Sequence, residues 1–373
     1  MHIGIDYTAA ARQQAGIGRY TRELIHALLK ADTRNTYVAF AASGGLNSEA
    51  FDALLTLPAR LRKVPLTDDW LARIWHRLRL PIPVETVTGP LDAFYSPDFV
   101  LPPTRPGTRT LLTVHDLSFL RYPDHFVPKL VRYLSEVVPR SIERADRVLA
   151  DSRATKDDLT TYLNVAPGRV EVLYSGVDTR FTPTPGPNES DNIRKRYGLD
   201  ERPIVLTVGT IQPRKNHARL IQAFATLGDD LQLAIGGGQG WLYDEVLQAV
   251  VQHSDRVRLL GFVSDADLPA LYRSATLFVF PSFYEGFGLP VLEAMACGVP
   301  VVCSNTSSLP EVAGDSACLV NPHDTDALAY AMAQCLEDTQ LRSTMVSKGL
   351  AQAQRFTWRK AAQQLLTIFD ELG

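Results

Sequence analysis

A chain of 373 residues, 45% of them hydrophobic and 21% charged, is long enough for two domains, each with its own core. Its net charge of −3 gives no electrostatic reason to expect a nucleic-acid partner, which usually requires a basic surface. The four cysteines lie in the C-terminal part without C-x-x-C spacing, which argues against a disulfide framework and a zinc site and predicts reduced core cysteines.

The chain opens with the strand pattern HIGIDY, where a signal peptide would need a basic start and an apolar stretch. Farther along, no apolar run approaches the ~18 to 20 residues of a membrane span. We therefore expect a cytoplasmic protein.

Short β-branched runs alternate with longer helical patterns, which is typical of βα units around parallel sheets. The strands predicted in the first half are HIGIDY, TYVAF, DAFYS, RTLLTVHD, RVLADS and EVLYSGVD. Those predicted in the second half are PIVLTVGT, LQLAIGGG, RVRLLGFV, LFVFPS and PVVCSN. The predicted fold class is therefore α/β, with two Rossmann-like doubly wound domains that face a ligand-binding cleft.

The segment FTPTPGPNESDNIRKRYGLD, residues 181–200, separates the two sets of strands and is rich in Pro, Gly and polar residues. We predict that it links an N-terminal domain over residues 1–180 to a C-terminal domain over residues 201–354. Residues 355–373 have the amphipathic pattern of a helix, which we expect to pack back on the N-terminal domain. Its apolar face consists of Trp358, Ala362, Leu365 and Phe369.

Two features of the first half are candidates for substrate contact. Gly16 and Gly18 in AGIGRYTREL fall between a strand and a helix, where backbone N–H groups can approach a phosphate, although a glycine pair alone indicates only a turn. His115 ends the strand RTLLTVH, a place from which a histidine can contact a polar substrate. His217 and His125 are weaker candidates.

An arginine-rich amphipathic segment, DDWLARIWHRLRLP, covers residues 68–81. Its apolar stripe of Trp70, Ile74 and Leu78 lies beside several arginines and would suit an anionic membrane surface. We favour a helix packed inside the N-terminal domain, because most amphipathic helices face a core.

Two acidic residues bracket a glycine-rich turn in FYEGFGLPVLEAMACGVPVV, residues 283–302. A buried-strand pattern precedes the turn and a helical pattern follows it, so free N–H groups at the helix start favour an anion there. Glu285 precedes the turn and Glu293 lies about one helical turn inside the helix, so both can face one ligand and accept hydrogen bonds from sugar hydroxyls. A capping Glu285 and a solvated Glu293 are equally consistent with the pattern.

Two charged pairs in the second half lead to opposite expectations. Lys215, with Arg214 beside it in PRKN, has the charge to neutralise a diphosphate, although an isolated Arg–Lys pair is more often solvated. The acidic pair Asp265 and Asp267 resembles a metal-binding pair, but Ser264 followed by Asp267 is better explained as a capping box for the helix DLPALYRSA. No metal site is predicted.

Together these motifs resemble the signature of retaining GT-B glycosyltransferases of family 4. The glutamates around GFGLP are followed by SLPEVAGDSACLVNP. Five further segments stand in the family's order along essentially the full chain, namely VGTIQPRKNHARLIQAF, GFVSDADLPALYRSA, YSGVDTRFTP, TVHDLSF and GIGRYTREL. One departure is Thr210, where many relatives have an arginine directly after the glycine that is here Gly209. In its motifs the chain is most similar to bacterial mannosyltransferases that build surface polysaccharides.

The resemblance implies transfer of a sugar from a nucleotide diphosphate sugar to an acceptor hydroxyl, with retention at the anomeric carbon. The catalytic residues that it implies are His115, Glu285, Lys215 and Arg214, the last taking the arginine role missing at position 210. The donor-binding residues that it implies are Gly16, Gly18, Gly209, Val263, Gly286, Phe287, Gly288, Leu289 and Glu293. Glu285 would contact the donor sugar and Glu293 the ribose, and the first half of the chain would be the acceptor side.

The resemblance also favours GDP-mannose as donor and a glycan or lipid-linked acceptor, which would allow peripheral contact with the inner face of the plasma membrane. Front-face attack would need no cofactor and no obligatory metal, because Lys215, Arg214 and helix-start N–H groups would stabilise the leaving diphosphate. A glutamate nucleophile, as in retaining glycosidases, is the alternative. The other functions left open are a UDP-sugar-dependent hexosyltransferase, a sugar-nucleotide epimerase and a non-catalytic sugar-nucleotide binder.

Overall fold

The computed structural model describes residues 1–13 and 16–373, and the chain divides into two compact units. Unit 1 consists of Met1–Leu117, Arg132–Gly176 and Trp358–Gly373. Unit 2 consists of Ser118–Val131 and Val177–Thr357.

Unit 1 is built on a parallel sheet. Its strands are β1 His2–Asp6, β2 Thr36–Ala42, β3 Ala59–Val64, β4 Ala93–Ser96, β5 Arg109–Val114, β6 Arg147–Ala150 and β7 Val170–Val172. They lie in the order β3-β2-β1-β4-β5-β6-β7, and every neighbouring pair is parallel. The direction of winding reverses between β1 and β4, which makes this pair the switch point of unit 1.

Unit 2 repeats the same plan with a second parallel sheet. Its strands are β8 Ile204–Val208, β9 Gln232–Gly236, β10 Val257–Gly261, β11 Leu277–Phe280, β12 Val301–Ser304 and β13 Cys318–Val320. They lie in the order β10-β9-β8-β11-β12-β13. The winding reverses between β8 and β11, the switch point of unit 2.

Helices connect the strands, as parallel pairing requires. In chain order they are α1 Thr8–Arg12, α2 Ile17–Ala31, α3 Asp52–Leu55, α4 Asp68–Ala72, α5 Glu85–Thr88, α6 Ser118–Arg121, α7 Pro128–Arg144, α8 Arg153–Leu163, α9 Glu189–Tyr197, α10 His217–Ala225, α11 Asp244–Gln252, α12 Leu268–Arg273, α13 Leu289–Ala296, α14 Leu309–Ala313, α15 Thr325–Glu337, α16 Thr339–Ala353 and α17 Trp358–Leu372. Short 3-10 turns cover Ser48–Phe51, Pro123–His125, Pro167–Arg169 and Pro213–Lys215, and Arg73–Arg77 is π-helical.

The predicted fold class, two Rossmann-like α/β domains, is confirmed, but two edge strands were missed. β3 has the sequence ARLRKV, whose exposed arginines and lysine conceal the strand pattern because edge strands are often protected by charge. β13 is only 3 residues long. The segment 181–200, expected to be a linker, contains the helix α9. The predicted apolar face of the closing helix is confirmed, since all four of its residues are buried in α17.

The interpretation of residues 68–81 as a packed helix with a Trp70 stripe is wrong. Trp70 and Leu78 are 53% and 64% exposed, and the π-helical turn after α4 changes the register of the segment. Leu71 is buried instead, and the ring of Trp75 lies 5.8 Å from that of Phe40 in β2. Leu71 therefore faces the core, whereas Trp70 and Leu78 of the predicted stripe are exposed and Ile74 is half-buried.

The prediction of core cysteines is confirmed for three of the four, since Cys318 is only half-buried. All four thiols are free, and three of them are buried. Among the residues that the structure describes, no helix has both the length and the apolarity that crossing a bilayer requires.

Candidate functional site

Unit 2 offers a ligand site at its switch point, because open α/β sheets bind ligands at the carboxyl ends of the two strands where winding reverses. The segment after β8 contains Arg214 and Lys215, and the segment after β11 contains Glu285. The fold therefore brings three of the predicted site residues together. We call these three residues the cation cluster.

Glu285 is a buried carboxylate that pairs with both cations of the cluster. Its Oε1 accepts a hydrogen bond from Nζ of Lys215 at 2.6 Å, and its Oε2 lies 3.0 Å from Nη1 of Arg214. Burial alone would raise the pKa of Glu285, but the positive charges of Arg214 and Lys215 lower it to about 2. With two cations against one carboxylate, the cation cluster keeps an excess positive charge that suits an anionic ligand.

Local backbone geometry holds Lys215 in place. The 3-10 turn ends at Asn216, which has a left-handed φ of 61° and whose side-chain amide donates to the carbonyl of Pro281 at 3.0 Å. The Lys215 side chain passes beside Gly209, where a Cβ would lie only 3.4 Å from Cε of Lys215. Its Nζ lies 4.8 Å from the centre of the Phe280 ring, a cation–π contact. The Lys215 side chain is therefore packed between Gly209 and the Phe280 ring.

The glycine-rich turn leads from β11 into α13 through Gly288, whose φ is 111°. A Cβ there would lie 2.6 Å from Cδ2 of Leu309, so both the backbone and this contact require glycine. Phe287 has a buried side chain, whereas Gly286 and Leu289 complete the turn into the helix. No described side chain caps the first turn of α13, so its backbone N–H groups are suited to an anion.

Both glutamates of the motif are buried, so the alternative of a solvated Glu293 is wrong. Glu293 lies inside α13, and its Oε2 accepts a hydrogen bond from the hydroxyl of Tyr272 at 2.9 Å. The backbone N–H of Glu285 donates to Oγ of Ser307 at 2.9 Å. Sequence reasoning missed Tyr272 and Ser307, because both are brought to the motif by other elements of unit 2.

Two further donor-binding candidates of unit 2 contact the sheet. The N–H of Gly209 donates to the carbonyl of Gly236 at 2.8 Å. Val263 is buried, and its Cγ2 would lie 3.2 Å from a Cβ at Gly236. Any ligand contact of Val263 is therefore expected through its backbone.

Unit 1 places His115 directly after β5, at the carboxyl edge of the sheet. Its Nδ1 lies 2.7 Å from Oδ2 of Asp151, and its Nε2 lies 3.1 Å from the carbonyl oxygen of Pro97. The rings of Tyr20 and Phe99 meet the imidazole edge-on. Because both ring nitrogens face acceptors, the arrangement favours the doubly protonated imidazolium.

Electrostatics support the same protonation state of His115. Burial lowers its pKa, but the carboxylates of Asp151 and Asp98 and the Pro97 carbonyl raise it to about 9. Sequence reasoning missed Asp151, although it follows β6 directly, as His115 follows β5. A search of the ends of the predicted strands for carboxylates, and not only for histidines, would have found Asp151.

The predicted phosphate loop of unit 1 is described only in part, because Gln14 and Ala15 lie outside the described residues. Gly16 precedes α2 with a φ of 57°. A Cβ at Gly18 would lie 2.0 Å from the carbonyl oxygen of Gln13, so the chain itself requires glycine there. Contact of this loop with a phosphate stays a prediction.

The predicted capping box at Ser264 is wrong in its position, because α12 begins at Leu268 with Asp267 as its N-cap, and Ser264 and Asp267 are joined only in the turn before the helix. Oγ of Ser264 accepts from the N–H of Asp267 at 3.2 Å. The Asp267 carboxylate pairs with Arg196 and accepts from the hydroxyl of Tyr197, instead of returning to the Ser264 backbone. Over residues 1–13 and 16–373, no group of three or more His, Cys, Asp or Glu side chains has an arrangement that could hold a metal ion.

Comparison with known proteins gives matches for both halves of the chain. Residues 189–352 match the family model described as Glycosyl transferases group 1, and residues 15–181 match the one described as Glycosyltransferase Family 4. The chain is 33% identical over 373 residues to O-antigen chain mannosyltransferase B of Escherichia coli, covering 96% of each protein. It is 36% identical over 249 residues to a D-inositol 3-phosphate glycosyltransferase of Salinispora arenicola, covering 62% of this chain and 56% of that protein.

A solved structure shares the whole fold. The crystal structure of Anabaena HepE in complex with UDP and glucose superposes with a TM-score of 0.77 and 22% identity, covering 100% of each chain. At that identity, the likeness shows the fold alone.

Proposed function

This chain belongs to the group 1 and family 4 glycosyltransferases and is a nucleotide-sugar-dependent hexosyltransferase with the GT-B fold, and from this we propose that it transfers mannose from GDP-mannose to an acceptor hydroxyl. The acceptor is a glycan or a lipid-linked saccharide in surface polysaccharide synthesis, and the anomeric configuration is retained. The name of the Escherichia coli relative, 33% identical over nearly the full length of both proteins, supports the sugar and the pathway class.

The cation cluster is the observation that carries this proposal. Lys215 and Arg214 stand at the switch point of unit 2 beside the start of α13, with Glu285 between them. As the bond to the sugar breaks, negative charge develops on the nucleoside diphosphate. Fixed cations and helix-start N–H groups stabilise such charge without reorganisation, so the transfer needs neither a cofactor nor an obligatory metal.

The two glutamates take different parts of the donor. Glu285 touches the cations through both oxygens, and each oxygen has a further lone pair for a sugar hydroxyl. Glu293 is positioned by the hydroxyl of Tyr272 and binds the ribose hydroxyls. His115, at the strand-end edge of unit 1, supplies a positive charge near the reacting sugar.

A UDP-sugar is the second candidate donor. The complex of HepE with UDP and glucose favours it, although that likeness is one of fold. A sugar-nucleotide epimerase and a non-catalytic binder are not favoured, because the chain belongs to a family of transferases.

Slow hydrolysis of sugar nucleotides without acceptor tests the proposed function. GDP-mannose, UDP-glucose and other sugar nucleotides are incubated with the protein, and nucleoside diphosphate and free sugar are quantified. We expect GDP-mannose to be consumed fastest and α-mannose to be released first. Consumption of no sugar nucleotide, with or without a saccharide panel, would contradict the transferase.

We further propose that unit 1 contacts the membrane that would hold a lipid-linked acceptor. Trp70 and Leu78 are exposed large apolar side chains in a segment without acidic residues from 70 to 84. Arg79, Arg140 and Arg144 line a cavity of about 440 Å³ in the same region together with Glu143, and Arg79 and Arg140 both pair with Glu136. Exposed tryptophan and leucine beside arginines are suited to an interface of anionic lipid.

Sedimentation with vesicles tests this contact. Wild-type protein should sediment with phosphatidylglycerol vesicles and far less with phosphatidylcholine vesicles. The double change Trp70→Ala and Leu78→Ala should reduce the bound fraction, whereas Tyr330→Ala, which removes an exposed aromatic side chain from α15 in unit 2, should not. Equal binding by wild type and the double variant would contradict the contact.

A further inference from the structure

Four aromatic rings of unit 2 lie in contact with one another near the cation cluster. Tyr122 and His125 belong to the segment Ser118–Val131 of this unit, Phe283 follows β11, and His323 follows β13. The centre of the Phe283 ring lies 6.2 Å from that of Tyr122 and 5.3 Å from that of His125. It lies 4.8 Å from the centre of the His323 ring. We call these four residues the aromatic platform.

The side chains of the aromatic platform are accessible from outside. His323 is exposed, and Tyr122, His125 and Phe283 are only half-buried. Phe278 and Phe280 in the preceding strand are fully buried by contrast. Single exposed rings need no explanation, but a contiguous group at the surface usually marks a binding site.

Attachment of the segment Ser118–Val131 to unit 2 is explained by other side chains. Phe126 is buried, and its ring centre lies 5.6 Å from that of Trp241. The indole Nε1 of Trp241 donates to the carbonyl of His125 at 2.7 Å. The half-buried faces of the aromatic platform are therefore not needed to hold the segment in place.

The aromatic platform adjoins the cation cluster through the main chain. The N–H of Phe283 donates to the carbonyl of Arg214 at 2.9 Å, and Nη1 of Arg214 donates to the carbonyl of Tyr284 at 2.5 Å. Phe283 stands two residues before Glu285, which we assign to the donor sugar. The platform therefore lies next to the part of the site where the sugar is transferred.

The composition of the aromatic platform suits a saccharide better than a hydrocarbon chain. Tyrosine and histidine combine an apolar ring with a polar edge, so they can contact the C–H face of a pyranose and also bond to its hydroxyls. Burial, with smaller effects of the charges of Arg214 and His323, lowers the pKa of His125 and outweighs the opposing effect of Asp124. Its imidazole is therefore neutral at pH 7, with one nitrogen that donates and one that accepts.

We propose that the aromatic platform binds a pyranose ring of the acceptor that lies one or two sugar residues away from the reacting hydroxyl. The enzyme then prefers an extended α-linked glycan to a monosaccharide, because the remote ring adds binding energy that a single sugar lacks. The inference rests on the proposed function, since it specifies the acceptor of the same transfer.

Acceptors that differ only in length test the proposal. With GDP-mannose as donor, kcat/KM is measured for methyl α-D-mannoside, α-linked mannobiose and α-linked mannotriose, from GDP release above hydrolysis without acceptor. It should rise at least about tenfold from the methyl mannoside to the trisaccharide, mainly through a lower KM. Equal values for the three acceptors overturn the proposal, as does hydrolysis of the donor without transfer to any of them.

Variants connect the length dependence to the aromatic platform. Phe283→Ala should reduce the ratio of kcat/KM for the trisaccharide to that for the methyl mannoside to about one, and His323→Ala, at an exposed position, should reduce it about threefold. Both acceptors are measured on the same preparation, so partial unfolding leaves the ratio unaffected. Phe283→Tyr, which keeps a ring, should restore most of the ratio. Tyr330→Ala, which removes an exposed ring from α15, is the matched control and should keep the wild-type ratio. A wild-type ratio in both Phe283→Ala and His323→Ala overturns the proposal.

Calorimetry distinguishes failure of this proposal from failure of the proposed function, because it needs no catalysis. Mannotriose is titrated into protein saturated with GDP, or with UDP if a UDP-sugar proves to be the donor. Wild type should bind the trisaccharide about tenfold more tightly than Phe283→Ala does. Such binding without consumption of any sugar nucleotide would contradict the transferase alone. A trisaccharide that does not bind wild type would overturn the role of the aromatic platform.

Discussion

The two switch points share one architecture and differ in charge. In unit 1 the winding reverses between β1 and β4, where Asp6 and Asp98 stand. In unit 2 it reverses between β8 and β11, where Arg214 and Lys215 enclose Glu285. The topology of each sheet determines where a ligand binds, and the side chains at the strand ends determine which kind of ligand binds there. The two cations at the switch point of unit 2 support the binding of a diphosphate there.

Removing the lysine of the cation cluster should have the largest effect. Lys215→Ala should weaken the binding of donor and of free nucleoside diphosphate alike and cost about 2 to 4 kcal/mol of transition-state stabilisation, because the diphosphate loses its main counter-charge. Hydrolysis kinetics and calorimetry measure both effects. Lys348→Ala, which removes an exposed lysine paired with Asp315, is the control. Wild-type kinetics in folded Lys215→Ala would exclude Lys215 from the site.

Replacing Glu285 and Glu293 one at a time tests which part of the donor each residue binds. Glu285→Ala should lower turnover about 10²-fold with little change in GDP affinity, because it acts on the sugar. Glu293→Ala should weaken GDP-mannose and GDP equally, because both contain the ribose. Calorimetry with GDP and the kcat of hydrolysis distinguish the two residues. The reverse pattern would show that the roles are exchanged.

The buried cation of unit 1 should stabilise the fold in a pH-dependent way. The folded pKa of His115, about 9, lies above its ordinary value of 6.5, so folding gains stability below pH 6.5 and loses it as the pH rises through 9. The raised pKa of Asp151 acts in the same direction at lower pH. The free energy of unfolding in urea should therefore differ between pH 6 and pH 9.5 by about 3 kcal/mol more in wild type than in His115→Gln. An equal pH dependence of the free energy of unfolding in both proteins would contradict a protonated His115 in the folded state.

The smallest expected effect concerns Asp267, away from both switch points. Asp267→Ala should lower the free energy of unfolding by about 0.5 to 2 kcal/mol, because the helix start and the contacts with Arg196 and Tyr197 are lost. Activity should persist in this variant and in the presence of chelator. Loss of activity with chelator that manganese or magnesium restores would show that a metal takes part.

The fold was predictable because its signals are local. Alternation of apolar runs with helical patterns identified the central strands, and the buried face of α17 followed from its period. The charged edge strand β3 and the π-helical turn after α4 were not predictable in this way. In β3 the need to protect an edge overrides the usual composition, and the π-helical turn changes the register of Trp75, whose ring contacts that of Phe40.

The site was predictable only where its residues share a motif. Glu285 and Glu293 stand within one strand-to-helix segment, so their spacing was visible in the sequence. The pair of His115 and Asp151 spans 36 positions and depends on β5 lying beside β6. Likewise, Asp6 and Asp98 become neighbours only through the pairing of β1 with β4. Strand order, which a single sequence does not encode locally, assembles these contacts.

Titration of the protein with GDP and with UDP tests the central claim, a mannosyltransferase that uses GDP-mannose, most directly. We expect tighter binding of GDP by calorimetry, together with hydrolysis of GDP-mannose in preference to UDP-glucose. Recognition of the base and of one hydroxyl orientation on the sugar is worth about 1 to 3 kcal/mol for each unpaired buried group, which calorimetry resolves. Tighter binding of UDP, with hydrolysis of a UDP-sugar and not of GDP-mannose, would contradict the claim.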